Sequence, residues 1–594
     1  MLLLACCFSL CAVAQQSLQL TFQIDLAPAA KQISSKTNVG LRGGQFPLSW
    51  EKSLDLTDND GDGIYTTTVT FENGIKDGVL EYKFILDDKT WELDGQNRLL
   101  LVKNGAAADR VDRWNELPRY NPEDLPKISV QQMRADLRVL QNAFTSMHPG
   151  LYRYRQPAEI APFFAQLESA IQSPVTCLEA YRLFSEAAGW VQCGHTYANF
   201  FNQSGLIQQL VFDQPDKLPF CTRIIARRLF IEKNASEHSE LTRGLEIRSI
   251  NGVPFAEILN RLLPLVKADG PNNVKRLDDL QLTGLNTFES FDAYFPLVFP
   301  PENSRYTIDL TDLRTGQQFS KTVKAVSRQD RLAILTERYG PPPSSLDDLW
   351  EFKFLHDSIG YLRLGTFVTY QMALDWRAFL KNAFDSMKKR RASQLIIDIR
   401  GNEGGMDEVS IELAKYLPGR PIVREAREIR TRYQKVPADL EPYLTSWDNR
   451  FKDLSKETTA VADGYFRVEE ANAETQIPVN KNAFPGKVYL LTDASNSSAT
   501  FYLAQLLQKN KLATLVGQPT GGSQRGINGG LIAFLRLPNS GIEVDIPVFG
   551  SFPLEEKPAG GIVPDVVVEP NLDDVVSGID TTLEKVFWLI QQPD

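Results

Sequence analysis

Hydroxyl side chains crowd a stretch of this chain where an apolar strand gives way to a helical periodicity. Val488–Leu491 is a run suited to a buried strand, and Ser495, Ser497, Ser498 and Thr500 follow in a small polar turn. Phe501–Leu507 then carries helical apolar spacing, and Ala513–Val516 reads as a second strand closing on Gly517. A serine held where a strand becomes a helix is rigid, and the first N–H groups of the helix can stabilise negative charge beside it. That is how a fold turns an ordinary hydroxyl into a nucleophile. The same composition also makes a plain helix N-cap, so the stretch is read with its company elsewhere.

That company is a glycine-rich strand end and a histidine. Gln394–Ile399 is a hydrophobic strand that runs into Asp398-Ile-Arg-Gly-Asn-Glu-Gly-Gly, ending at Gly404 and Gly405. Consecutive glycines let backbone N–H groups approach a ligand, and an oxyanion hole needs such donors about 3 Å from the developing charge. A glycine turn that merely closes a buried strand has the same sequence. Only four histidines exist in 594 residues. His195 lies in Cys193-Gly-His-Thr-Tyr, and His148 lies at a predicted helix end, where a structural role is expected. His238 and His356 sit in polar settings with no partner in view.

A chain of 594 residues is expected to form roughly three to five domains. Residues 15–115 alternate as short strands with turn signals between them, and Asp58-Asn-Asp-Gly-Asp-Gly is one of those turns. Position twelve of that loop is Val69 where a calcium-binding EF-hand needs glutamate, so no metal is expected there. Pro118–Pro126 is a proline-punctuated linker. Residues 127–203 show helical spacing through Met133, Leu137, Leu140 and Phe144 and again through Leu178, Tyr181 and Phe184. Residues 205–335 return to short strands, and 346–594 alternate strand and helix, with a charged, less periodic stretch over 424–478 read as an insertion. The fold class is therefore multidomain α/β.

The net charge of −10 without any Lys/Arg block argues against a nucleic-acid partner. Residues 1–14 form a short apolar run ending Ala12-Val13-Ala14, as in a secretory signal, with a lipoprotein signal at Cys6 as the alternative. The run is too short to span a bilayer, and no other segment is long and apolar enough. The protein is thus expected to be exported, whether periplasmic, outer-membrane-associated or extracellular. Removal of the leader leaves Cys177, Cys193 and Cys221, enough for one bridge and a free thiol, with no metal spacing among them.

Asp398-x-Arg-x-Asn-x-Gly-Gly, then a strand ending in the serine-rich turn, then Leu515-Val-Gly and Gly561-Ile-Val-Pro-Asp, resembles the C-terminal processing peptidase family. That family includes the tail-specific proteases and the tricorn protease core. The resemblance runs from about Ser129 to Pro570. It implies an α/β core of the ClpP/crotonase type behind a helical layer and a PDZ-like domain. The stretch Arg243–Leu262, with Ile250-Asn-Gly, resembles a PDZ domain.

Aligned residue by residue, the family pattern puts the nucleophile at Ser498, with Ser495 and Ser497 as competitors. Phe501 stands where the family usually has glutamate. The tail-specific branch has a lysine base where this chain has Ser523. The tricorn-like branch has a histidine at the place of His195 and a glutamate at the place of Glu556, next to Glu555. The resemblance thus implies Ser498, His195 and Glu556 as catalytic residues and Gly404, Gly405 and Ala499 as oxyanion donors. It implies a peptide or protein substrate and no cofactor. The alternative is a catalytically inactive binder of peptide, lipid or glycan on the same fold. Leu80–Leu100, with Tyr82-Lys83, Trp91-Glu92 and Asn97-Arg98, resembles a starch-binding module, which implies a possible glycan partner.

Overall fold

The structure is a computed structural model. It describes residues 17–592 apart from 31–32, 35, 94–96, 104–105, 108–109, 117–126, 286–287, 357, 418–420, 470–475, 479 and 481–482. The expected leader and the Pro118–Pro126 linker lie outside the described residues. The chain divides into two compact units. One comprises residues up to Ile128 with Gly205–Leu210, and the other comprises Ser129–Ser204 with Val211 onward.

The first unit is all β. Leu18–Asp25 pairs antiparallel with Ile64–Phe71 and parallel with Val111–Arg113. A second sheet runs Leu54–Leu56, Val39–Gly43, Val79–Leu86, Arg98–Lys103 and Ala106–Ala107, with Thr90–Trp91 on its flank. Phe22, Ile24, Leu41, Phe71 and Phe84 form the core between them. Alternation explains the motif residues of this unit. Glu92 and Arg98 turn inward and pair at 2.6 Å with both side chains fully buried, while Trp91 turns outward and is 42% exposed. In the acidic turn, Asp58 accepts the Gly61 and Gly63 N–H groups at 2.8 and 3.0 Å, and the carboxylates of Asp58, Asp60 and Asp62 converge within 4.8 Å.

The second unit begins with three long helices, Val130–Met147, Pro157–Ala170 and Cys177–Trp190, with the short helix Leu151–Tyr154 between the first two. The first and third are started by capping boxes at Ser129 and Thr176. An antiparallel sheet follows in the order Phe220–Ile225, Arg228–Asn234, Glu246–Ile250, Arg305–Thr311, Gln318–Lys324, and the helix Phe255–Leu262 follows the Asn251-Gly252 turn.

The sheet that matters for chemistry runs Trp350–Leu355, Ile359–Leu364, Gln394–Asp398, Lys487–Thr492, Thr514–Gly517, Val566–Val567. Its first pair is antiparallel and the others are parallel. The strands read as continuous apolar runs because both faces are covered. Leu395, Ile397, Leu490 and Leu515 pack on one side, and Ile396, Tyr489, Leu491 and Val516 on the other. The carboxyl ends of Gln394–Asp398 and Lys487–Thr492 lie side by side, which is where open parallel sheets place their sites.

The stretch 424–478 is not a detached insertion. Arg427–Thr431, Leu444–Thr445, Thr458–Ala460 and Phe466–Val468 join the hairpin Asn528–Arg536/Glu543–Pro553 in one six-stranded sheet. These strands are too short for their own periodicity to register, and the long hairpin supplies the template. Cys177, Cys193 and Cys221 are all free thiols.

Candidate active site

The turn after Lys487–Thr492 is fixed by its own asparagine. Asn496 accepts the Asp493 N–H at 2.9 Å and donates to the Ile399 and Asn402 carbonyls at 2.5 and 3.1 Å. The Thr500 hydroxyl donates to the Asn402 carbonyl at 2.9 Å. The serine turn and the glycine loop are therefore stitched together. They hold Ser498 at φ +50°, a left-handed conformation that costs a non-glycine residue about 1–3 kcal/mol. Ser498 opens the helix Ser498–Lys509. Its rivals are occupied, since Ser495 donates to Asp278 at 2.5 Å and Ser497 to the Glu403 carbonyl at 3.1 Å. Among the described residues, the Ser498 hydroxyl has no hydrogen-bond partner.

The glycine loop presses against this serine. A Cβ on Gly404 would lie 2.9 Å from the Ser498 Cβ and 3.0 Å from the Ala499 nitrogen, so only glycine allows the approach. The Gly404 N–H, however, donates to Asn402 Oδ1 at 2.8 Å. That commitment corrects the expected oxyanion set. Gly405 and Ala499 keep N–H groups with no acceptor among the described residues, whereas Gly404 shapes the loop. Asp398 is buried at the head of the loop. It accepts from Tyr361 at 2.7 Å and from Arg400 at 2.9 and 2.7 Å, and Arg400 also reaches Asp580. Burial alone would raise the Asp398 pKa, but the Arg400 guanidinium outweighs it and keeps the carboxylate ionised. Asp398 is a fixed anchor for the strand end.

His195 arrives from the helical layer, just beyond Cys177–Trp190. The Gly194 N–H donates to Asp269 at 2.9 Å, and the Asn528 side chain donates to Cys193 Sγ at 3.3 Å, which together set the segment. The His195 ring lies against Gly529, with Nε2, Cδ2 and Cε1 3.7, 3.8 and 3.8 Å from where a Cβ would sit. Its Nδ1 is buried without a partner among the described residues. Withdrawal from water lowers the His195 pKa, while Asp269 and Glu403 pull it back up and Lys267 pushes it further down. His195, Lys267, Asp269, Lys275, Glu403 and Ser497 line one cavity of about 140 Å³. The other motif histidine, His148, is fully buried, shares a hydrogen bond with the Thr196 hydroxyl at 2.8 Å and accepts the Gly150 N–H at 3.1 Å.

Two expected pieces lie elsewhere. Glu556 is exposed, and among the described residues no hydrogen bond or ion pair joins it to His195; the carboxylates that act on the imidazole are Asp269 and Glu403. Glu556 sits in an exposed loop, Leu554–Glu556. Ser523 is buried and shares a hydrogen bond with the Tyr154 hydroxyl at 2.5 Å. A lysine nevertheless enters the cavity from a different element. Lys275, on the helix Asn273–Asp279, bridges Asp279 and Glu403 at 2.7 Å each. The Lys275 charge holds the Glu403 carboxyl well below the usual range. The i,i+4 spacing of Lys275 and Asp279 was readable, but nothing local pointed to Glu403.

Residues 358–568 match the family model of peptidase family S41. That segment of the chain is a peptidase S41 region. An S41 core accounts for the parallel sheet, the glycine loop and the serine turn as one serine-peptidase scaffold. Among solved structures, mature CPAF complexed with lactacystin superposes with a TM-score of 0.56 at 15% identity, covering 78% of this chain and 98% of that one. A CPAF point mutant gives 0.53 over 77% and 96%, also at 15% identity. A further structure of mature CPAF gives 0.52 over 78% and 97%, at 15% identity. At that identity the likeness is one of fold. Comparison with curated protein sequences finds no match.

Proposed function

We propose that this serine peptidase is an exported endopeptidase or carboxy-terminal processing peptidase with Ser498 as nucleophile and His195 as its base. The observation that carries the reading is Ser498 itself, a hydroxyl without a hydrogen-bond partner among the described residues, at φ +50° on a strand-to-helix turn and packed against Gly404. In this reading the imidazole takes the Ser498 proton as Oγ attacks the scissile carbonyl. The Gly405 and Ala499 N–H groups receive the oxyanion. The imidazolium then protonates the leaving amine, and water releases the acyl group by the reverse sequence. The cavity beside His195 admits that water. The antiparallel sheet with the helix Phe255–Leu262 supports the PDZ-like, peptide-recruiting role expected of residues 205–335.

The test is fluorophosphonate labelling of the purified protein. Ser498→Ala should abolish it, while Ser495→Ala and Ser497→Ala should retain it. Labelling that survives Ser498→Ala moves the nucleophile elsewhere. Absence of labelling and of peptide turnover in the wild type favours the binding-protein alternative.

One observation favours a second role. In the first unit Trp50 and Trp91 are 37% and 42% exposed, with ring centroids 6.4 Å apart. Two exposed indoles at that spacing suit stacking on sugar faces, so a glycan is proposed as a partner of this unit.

A further inference from the structure

The cavity beside His195 contains a cation that makes no direct ion pair with any described residue. The carboxylates around it have other direct partners, although Asp279 Oδ2 is left without a hydrogen bond among the described residues. Glu403 and Asp279 share Lys275, Asp545 accepts from Asn199 at 2.7 Å and Asn202 at 3.3 Å, and Asp269 accepts the Gly194 N–H. Lys267 makes no hydrogen bond and no ion pair with any described residue. Its ammonium rests 4.0 Å above the centroid of the Tyr197 ring, a cation–π contact that holds the charge in place. It is half-buried, it lines the same cavity as His195 and Ser497, and its field reaches His195, Asp279, Glu403 and Asp545. Burial pushes the Asp545 carboxyl up to about 7, which thins the negative charge near Lys267 at neutral pH. A partly desolvated ammonium beside a reaction site is matched best by an anionic group on the ligand.

We propose that Lys267 holds a carboxylate of the peptide substrate beside the reactive serine, so that the enzyme selects peptides with an acidic group next to the bond it cuts. This rests on the serine-peptidase site proposed above. The carboxylate comes either from an Asp or Glu side chain flanking the scissile bond or from the free C-terminus of a substrate cut near its end.

Peptides matched in pairs separate the two sources. One pair exchanges Glu for Gln at positions flanking the scissile bond, and the other exchanges a C-terminal acid for its amide. The kcat/KM ratio within each pair is measured for the wild type, Lys267→Met and Lys267→Arg. The Kd ratio is measured calorimetrically on Ser498→Ala with and without Lys267→Met. The acidic member should be favoured roughly tenfold in one pair, the size expected of one charge-assisted contact. The ratio should fall to near one in Lys267→Met and be largely kept in Lys267→Arg. A preference in the Glu/Gln pair assigns the side chain, and one in the acid/amide pair assigns the terminus. A wild-type ratio near one in both pairs, or a ratio unchanged in Lys267→Met, overturns the proposal. If no peptide is cleaved and no serine is labelled, the peptidase site fails, while the Kd ratios still decide Lys267.

Discussion

Replacing Gly404 by alanine should disarm the serine without removing any group that reacts. Gly404 has φ +111°, and a Cβ there would lie 2.9 Å from the Ser497 carbonyl oxygen, 2.9 Å from Ser498 Cβ and 3.0 Å from the Ala499 nitrogen. The backbone conformation costs alanine about 1–2 kcal/mol. Overpacking against backbone atoms adds about 1–3 kcal/mol, because the neighbours are not flexible chain ends. If the turn holds, Gly404→Ala should therefore lose about 2–5 kcal/mol of stability. If the turn yields, Ser498 moves, and a displacement of about 1 Å at a reacting atom costs about a hundredfold in rate.

Gly401 is the internal control. It lies in the same loop at φ +79° with nothing within 4 Å of an added methyl, and its N–H bond to Asp493 at 2.8 Å survives substitution. Gly401→Ala should cost only the backbone share, about 1–2 kcal/mol, and leave reactivity intact. The assays are urea unfolding and the second-order rate constant of fluorophosphonate labelling. Gly404→Ala labelled at the wild-type rate and as stable as Gly401→Ala would refute the packing argument.

The base should show in the pH profile. His195 must be neutral to accept a proton, and burial lowers its pKa, so kcat/KM should rise with pH and reach half its plateau below the ordinary imidazole value of about 6.5. A midpoint at or above that value argues against a buried His195 as base. Asp269 raises the His195 pKa, so Asp269→Asn should move the acid limb further down, whereas the exposed Glu556 should leave it in place on Glu556→Gln; a large shift from Glu556→Gln alone would restore it as the orienting acid. In the first unit, Trp91→Ala should weaken retention on an α-glucan matrix with little loss of stability, because the indole is 42% exposed. Retention equal to that of the wild type would remove the glycan role.

What the sequence determined by itself is what neighbouring residues settle among themselves. The apolar run Val488–Leu491, the polar turn and the spacing of Phe501–Leu507 are local, so the strand-to-helix turn carrying Ser498 was legible. So was the glycine pair at Gly404 and Gly405. Tertiary structure alone decided which backbone donors remain available, because the Asn402 side chain folds back to take the Gly404 N–H. It decided that Glu556 stays in water, that Arg427–Thr431 and its short companions join a sheet, and that Lys275 reaches Glu403 across 128 positions. It also left Lys267 against an aromatic face with no direct ion pair among the described residues. Periodicity and turn chemistry act over a few residues and are written in the chain. Charge pairing and hydrogen-bond competition act through space, so they are settled only when distant segments have packed.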